Sequence, residues 1–95
     1  MHLQELKLAH CKMPKKVLSQ LLDQLIDCSS LSSLCLSKAN FSSESIAKLC
    51  HFVYISPTLR SLDLSWNELS YKDYRPILRC LADNSTLEDI NLSHN

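Results

Sequence analysis

The sequence contains no glycine in its 95 residues. This absence excludes the glycine-rich loops that hold phosphate groups, and it argues against flexible linkers. Ten basic and ten acidic side chains cancel, so the chain has no net charge with which to attract nucleic acid or an anionic membrane. No apolar run approaches the roughly 20 residues that a membrane-spanning helix needs. These absences exclude several classes of function before any motif is considered.

The cysteines show no paired spacing. They are five in number, and no two of them form a C-x-x-C motif. An odd, unpaired set is typical of free thiols in a reducing compartment. We therefore expect an intracellular protein, in the cytoplasm or the nucleus.

A leucine returns every 28 residues, and each one opens the same phrase. The openers are Leu3, Leu31, Leu59 and Leu87. The third phrase reads Leu59-x-x-Leu62-x-Leu64-x-x-Asn67-x-Leu69. A fixed period of this length predicts a stacked repeat in place of a globule with one closed core.

Each repeat begins as a strand and continues as a helix. Apolar and variable residues alternate in the leucine phrase, which indicates a half-buried strand. Apolar residues then follow at helical spacing, 15, 18, 19 and 22 positions after the opening leucine, and predict one inward stripe per helix. Ser42 or Ser43 is expected to cap the second helix, with Glu44 in its first turn. Because Pro76 would interrupt a third helix that began at Tyr71, we expect Asp73 to be the cap there.

The fold class that follows is α/β. Residues 1–95 are expected to form a single domain of repeats 3–30, 31–58, 59–86 and a partial repeat 87–95. Strand, helix and strand at this spacing predict right-handed parallel crossovers. Since helices are wider than strands, the stack should curve into a horseshoe segment, with strands on the concave face and helices on the convex face. Neither end shows a capping element, so we expect a fragment of a longer solenoid or, alternatively, a homodimer through the uncapped ends.

The phrase L-x-x-L-x-L-x-x-(N/C)-x-L and the 28-residue length resemble the leucine-rich repeat family, in its ribonuclease-inhibitor-like subclass. The resemblance covers the whole chain. It implies a mostly intracellular, non-catalytic scaffold that binds a protein partner, as in NOD-like immune receptors, actin-regulating scaffolds and ribonuclease inhibitors. The alternative is a regulator of an enzyme, such as a small-GTPase activator or an enzyme inhibitor built on the same repeats. No cofactor is expected in either case.

The Asn/Cys position of the phrase has a structural purpose. The chain leaves the strand there, and a buried asparagine amide can satisfy the backbone groups that lose their ladder partners. Asn67 and Asn95 match this position, and Cys11 matches the subclass variant and is expected to point inward. Ala39 cannot form such bonds, so either Asn40 substitutes for it or the second repeat is looser at that turn.

Binding is expected on the variable strand residues that point out of the concave face. Trp66 is the main candidate, because tryptophan is enriched among the energetic anchors of interfaces. Its alternative role is to pack over its own loop or the neighbouring repeat. Three rows of strand residues run across this face: Glu5, Ser33, Ser61 and Asp89; Lys7, Cys35, Asp63 and Asn91; Ala9, Ser37, Ser65 and Ser93. The strand exits add His10, Lys38, Trp66 and His94. From these sets the predicted partner-binding residues are Lys7, His10, Cys35, Lys38, Asp63, Trp66, Asn91 and His94.

Three groups of residues could in principle form a metal site, a reactive thiol or a catalytic triad, but each lacks a feature that its chemistry requires. A metal site from His10, Cys11 and Cys35 matches no zinc-ligand spacing. Cys35 has no certain basic neighbour that would make its thiol reactive. A triad of Ser65, His94 and Asp63 lacks an oxyanion hole and a substrate pocket. The sequence therefore predicts no metal site and no catalytic site.

Overall fold

The structure is a computed structural model that describes residues 3–11 and 13–95. Strands and helices alternate along the chain. The strands are β1 (Glu5–Lys7), β2 (Ser33–Cys35), β3 (Ser61–Asp63) and β4 (Asp89–Asn91). The helices are α1 (Lys15–Leu25), α2 (Ser43–Ile55) and α3 (Tyr71–Ala82). The predicted α/β class is confirmed.

The four strands form one parallel sheet in the order β1-β2-β3-β4. Leu34 of β2 pairs with Leu6 on one side and with Leu62 on the other, so the register repeats with the sequence period. The helices stack in the same order, because α1 packs on α2 and α2 on α3. This architecture fits a leucine-rich-repeat type of βα fold, while the horseshoe curvature stays a prediction.

The core lies between the sheet and the helices. Every second strand residue points into it, as Leu34 and Leu62 do with 1% of their surface exposed. Helix residues from the apolar stripes, among them Leu18, Leu49 and Ile77, close it from the other side. Burying such side chains contributes about 1.5–3 kcal/mol each, so the leucine period is what stabilises the fold.

The start of α2 agrees with the sequence. Ser42 is the residue before the helix, and it exchanges hydrogen bonds with Ser45: the Ser45 N–H donates to the Ser42 hydroxyl at 3.3 Å, and the Ser42 N–H donates to the Ser45 hydroxyl at 2.7 Å. Glu44 lies in the first turn, where its charge complements the helix dipole.

The expectation that Asp73 caps α3 is wrong. The helix begins at Tyr71, directly after Ser70, and Asp73 lies inside its first turn. The Asp73 carboxylate accepts hydrogen bonds from the Ser70 N–H at 2.9 Å and from the Ser70 hydroxyl at 3.1 Å, which fixes the earlier start. Pro76 therefore lies within the helix, where it removes one backbone hydrogen bond. Pro76 is exposed, so water can reach the carbonyl that loses this bond.

Leu78 also departs from expectation. It occupies an inward position of the predicted stripe, yet 55% of its surface is exposed. Its counterpart one repeat earlier, Cys50, is half-buried because α3 packs beside α2. Among the described helices, α3 contacts only α2, so no helix covers the matching side of Leu78.

A ladder of hydroxyl groups joins the repeats where each strand segment begins. Each hydroxyl donates to the carbonyl of the opening leucine of the preceding repeat: Ser30 to Leu3 at 2.9 Å, Thr58 to Leu31 at 2.8 Å and Thr86 to Leu59 at 2.7 Å. The ladder was not predicted. Its signal in the sequence is the hydroxyl residue that directly precedes Leu31, Leu59 and Leu87.

In the described part of the chain, no helix combines the length and the apolar character needed to span a membrane.

Candidate functional site

The outward residues of the four strands form two continuous rows, and we call them together the strand face. The first row is Glu5, Ser33, Ser61 and Asp89, and the second is Lys7, Cys35, Asp63 and Asn91, both in direct register. Because successive strand residues point to opposite sides, these side chains face away from the leucine core. The sheet thus brings four predicted binding residues, the second row, into one line.

Asp63 is the best-connected charge on the strand face. Its carboxylate accepts a hydrogen bond from the Ser65 N–H at 2.9 Å and one from the Cys35 thiol at 3.6 Å. Burial alone would raise the pKa of the Asp63 carboxyl, but the hydrogen bonds from Ser65 and Cys35 and the Lys7 charge outweigh it and bring that pKa below its ordinary value. Asp63 is therefore an ionised, oriented acceptor at neutral pH.

The Cys35 thiol is poorly suited to nucleophilic chemistry. Burial raises its pKa above the ordinary value of 9.0, and the neighbouring Asp63 carboxylate raises it further. The hydrogen bond with the Ser37 backbone and the Lys7 charge oppose this rise without cancelling it. Because the thiolate is the reactive form, this environment suppresses reactivity.

Asn91 repeats the local geometry of Asp63 without the charge. Its side-chain oxygen accepts hydrogen bonds from the Ser93 N–H at 3.0 Å and from the Ser93 hydroxyl at 2.7 Å. An amide and a carboxylate thus perform the same turn-forming task in consecutive repeats. This equivalence provides a conservative replacement for Asp63.

The two central members of the third predicted row, Ser37 and Ser65, do not form an outward surface, whereas Ser93 is exposed. Ser37 and Ser65 have only 4% and 5% of their surfaces exposed, and the Ser65 hydroxyl donates to the Ser37 hydroxyl at 3.2 Å. The chain turns as it leaves each strand, so strict alternation ends before this row. The buried Ser65 hydroxyl is also unavailable for the triad with His94 and Asp63.

The strand-exit residues lie in turns with unusual backbone geometry. His10, Lys38, Trp66 and His94 have φ angles of 61°, 53°, 60° and 59°, in the left-handed region. This region costs a residue with a side chain roughly 1–2 kcal/mol, and glycine avoids that cost. All four side chains are exposed, and each residue follows the C-terminal end of its strand by three positions. We call this set the exit rim.

Trp66 and His94 stack on one another within the exit rim. Their ring centroids are 3.9 Å apart and their planes differ by 12°. Trp66 packs against the neighbouring repeat in this way, yet 47% of its surface remains exposed. The stack packs the indole on the neighbouring repeat and leaves much of it accessible, and the binding role of Trp66 stays a prediction.

Asn67 lies beneath the exit rim and connects two repeats. Its side-chain oxygen accepts a hydrogen bond from the Ala39 N–H at 2.7 Å, and its amide donates to the carbonyls of Leu36 at 2.9 Å and Leu64 at 3.0 Å. Asn95 forms the matching bonds one repeat later, accepting from the Asn67 N–H at 2.9 Å and donating to the Leu64 carbonyl at 3.1 Å.

Of the two alternatives considered for the turn at Ala39, substitution by Asn40 is wrong, and a looser second repeat stays a prediction. The Ala39 N–H is satisfied by Asn67 of the following repeat. Asn40 does not take over the asparagine role at the strand exit, because its amide donates to the Met13 carbonyl at 3.4 Å. Cys11 is exposed, contrary to the expected inward position, and its thiol makes only a long 3.8 Å contact with the Ala9 carbonyl. Cys11 follows β1, which is paired only with β2 in the sheet that the described residues form.

The described residues hold no cluster of three or more histidine, cysteine or acidic side chains that could bind a metal ion. The same part of the chain contains the five cysteines as free thiols.

One comparison with known proteins yields a match. A family model described as "Leucine Rich repeat" matches residues 56–73, which span the turn before β3, β3 itself and the start of α3. No curated protein and no solved structure matches the chain. The matched segment contains the phrase from Leu59 to Leu69, and together with the parallel βα architecture it supports a leucine-rich repeat protein.

Proposed function

We propose that this chain is a non-catalytic module that binds a protein partner through the strand face and the exit rim, with Trp66 as the anchor. The observation that carries the proposal is the half-exposed indole, held in place by the His94 ring at 3.9 Å. A fixed, exposed tryptophan contributes a large apolar area while losing little conformational freedom on binding. Leucine-rich repeats suggest a protein-interaction role in general, and this feature supports the proposed location of binding at Trp66.

The backbone of the exit rim supports the same location. Left-handed conformations in residues with side chains tend to be retained at sites of function, because glycine would be more stable there. In a sequence without glycine, every exit turn carries a side chain: an imidazole, an ammonium group, an indole and a second imidazole.

The charges of the strand face favour a partner with a cationic side chain near the anchor. Asp63 lies in β3, three residues before Trp66, and its carboxylate remains ionised at neutral pH. A lysine or arginine of the partner could pair with this carboxylate while an apolar neighbour packs on the indole. Such pairs contribute more to specificity and association rate than to affinity.

A different protein fits this surface arrangement better than a second copy of the chain stacked end to end. If β1 of one copy continued the sheet of another beyond β4 in the existing register, Glu5 would lie directly opposite Asp89. Like charges directly opposite each other on neighbouring strands are destabilising.

We infer further that the repeats form a curved solenoid of the ribonuclease-inhibitor-like subclass and act inside the cell. The 28-residue spacing and helices of 11 to 13 residues support the subclass. The free thiols support a reducing compartment.

The test compares partner capture by the native chain, Trp66→Ala and the matched control Tyr54→Ala. Tyr54 is an aromatic residue of α2 with 68% of its surface exposed, and it lies outside the proposed surface. Circular dichroism first establishes that all three proteins are folded. We expect Trp66→Ala to weaken binding of a captured, purified partner by about 30-fold, the effect of losing a hot-spot residue, while Tyr54→Ala has no effect. Equal affinities of the two variants would refute the proposed location.

Asp63→Asn tests the charge separately from the fold. The asparagine should preserve the turn, since Asn91 makes the equivalent bonds in the next repeat. We expect slower association at low salt and little change at high salt, because a screened charge no longer steers the partner. A salt-independent effect would contradict the proposed pairing.

A further inference from the structure

Helix α3 carries three basic side chains on one exposed stripe. Lys72, Arg75 and Arg79 follow one another at spacings of three and four residues, which places them on the same side of a helix. All three are exposed. We call this set the basic stripe, and it lies in the helix layer, on the opposite side of the core from the strand face.

No member of the basic stripe has an ion-paired counter-charge among the described residues, in contrast to Lys48 and Arg60. Lys48 of α2 forms ion pairs with Asp23 at 2.6 Å and with Glu44 at 3.5 Å. The described residues contain no ion pair to any member of the stripe. The one carboxylate within α3, that of Asp73, is engaged by Ser70 at the start of the helix.

The stripe also borders an apolar and aromatic surface. Tyr71 is 81% exposed, and it lines a shallow groove with Pro76 and the three basic residues. Exposed rings beside arginine side chains are common at protein interfaces, where arginine and tyrosine are both enriched. The surface thus combines a fixed positive charge with an area that a partner's apolar side chain can cover.

We propose that the basic stripe binds an acidic peptide segment of a protein partner. The segment would place carboxylates against Arg75 and Arg79, whose guanidinium groups can each hold a carboxylate by two hydrogen bonds. From Lys72 to Arg79 the helix rises about 10.5 Å, a length that roughly three or four residues of an extended peptide cover. This contact is independent of the one proposed for the strand face, so the chain would hold two partners or two parts of one partner.

An acidic protein segment fits better than nucleic acid. Three cations can neutralise only a few phosphates, and the chain as a whole has no net positive charge. Nucleic-acid surfaces that bind single strands also offer a series of aromatic rings for successive bases. Tyr71 is the one aromatic residue among those that line this groove.

The experiment measures binding of a short fluorescein-labelled peptide of glutamates around one central leucine, by fluorescence anisotropy at low salt. The same peptide with glutamines is the ligand control. The protein variants are Arg75→Gln with Arg79→Gln, against Lys15→Gln with Lys16→Gln as the matched control on α1. Both double variants remove two exposed positive charges, and only the first pair lies in the basic stripe.

We expect the glutamate peptide to bind and the glutamine peptide to bind at least ten-fold more weakly. Removal of Arg75 and Arg79 should weaken the glutamate peptide about ten-fold, and removal of Lys15 and Lys16 should change it less than two-fold. Equal effects of the two double variants, or equal binding of the two peptides, would overturn the proposal. A labelled oligothymidine that binds more tightly than the glutamate peptide and depends on the same arginines would also overturn it, by assigning the stripe to nucleic acid.

Discussion

Asn67→Ala is the substitution whose effect follows most directly from the structure. The side chain bonds four backbone groups, the N–H of Ala39 and the carbonyls of Leu36, Leu64 and Ser65. The Ser65 carbonyl also accepts a hydrogen bond from the Lys38 N–H at 3.3 Å. Ala39 and Leu36 have 0% of their surfaces exposed, so water replaces the lost bonds poorly at these two sites. The Leu64 carbonyl keeps a second partner, since Asn95 also donates to it at 3.1 Å.

An orphaned buried backbone group costs about 1–3 kcal/mol. With two such groups, and with some relaxation because Asn67 itself is half-buried, we expect Asn67→Ala to lower the free energy of unfolding by roughly 2–3 kcal/mol. Urea denaturation followed by far-ultraviolet circular dichroism measures this value, and an unchanged slope would show that the mutation affects stability alone.

Asn95→Ala is the matched control for this prediction. Asn95 forms the same pattern of bonds one repeat later, and it also accepts from the N–H of the buried Leu69 at 3.1 Å. Because Asn95 itself is exposed, water can take over most of its contacts. We expect a loss below about 1 kcal/mol. If Asn67→Ala is no more harmful than Asn95→Ala, buried backbone satisfaction is not what the asparagine provides.

Three further substitutions test other parts of the structure. Ser19→Ala should raise the free energy of unfolding by about 1 kcal/mol, because the buried Ser19 hydroxyl has no hydrogen-bond partner among the described residues. Alanine fits this position, since Ala47 holds the matching place in the next repeat. A lower urea midpoint would contradict this prediction. Asp63→Asn should flatten the acid limb of the stability profile. Folding lowers the pKa of the Asp63 carboxyl, so this group stabilises the fold above its ordinary value of 3.8 and loses that effect as the pH falls through the lower folded value; parallel acid limbs for variant and native chain would exclude this role. Glu68→Gly should be about 1 kcal/mol more stable than Glu68→Ala, because Glu68 has a φ angle of 53° that glycine tolerates better; thermal unfolding of the pair decides, and equal midpoints would show that the turn is unstrained.

The leucine period predicts most of the fold, because burial of apolar side chains is favourable and the same positions are buried in every repeat. The strand register follows from it directly: Leu34 pairs with Leu62, its equivalent one repeat later. Details that depend on a single local hydrogen bond were harder to predict. The start of α3 is decided by the bond between Ser70 and Asp73, and the helical rules for proline alone pointed to a later start.

The candidate surface is predictable only in part for a related reason. Alternation along a strand places Lys7, Cys35 and Asp63 in one row, and the structure has this row. Alternation ends where the strand ends, so Ser37 and Ser65 are buried in a turn whose geometry the period does not contain. The stacking of Trp66 on His94 likewise depends on left-handed backbone angles that no pattern of residue types reveals in a chain without glycine.

These left-handed exit turns have a consequence for how the molecule could change. The backbone there is held by half-buried neighbours such as Asn67, while the side chain at each turn is exposed to solvent. The conformational penalty is similar for most residues that are not β-branched, so replacing one exposed turn side chain by another should leave the fold intact. The side chains of His10, Lys38, Trp66 and His94 should thus be exchangeable while the backbone of the repeats stays the same. A library that varies only these four residues should yield folded proteins with altered binding preferences.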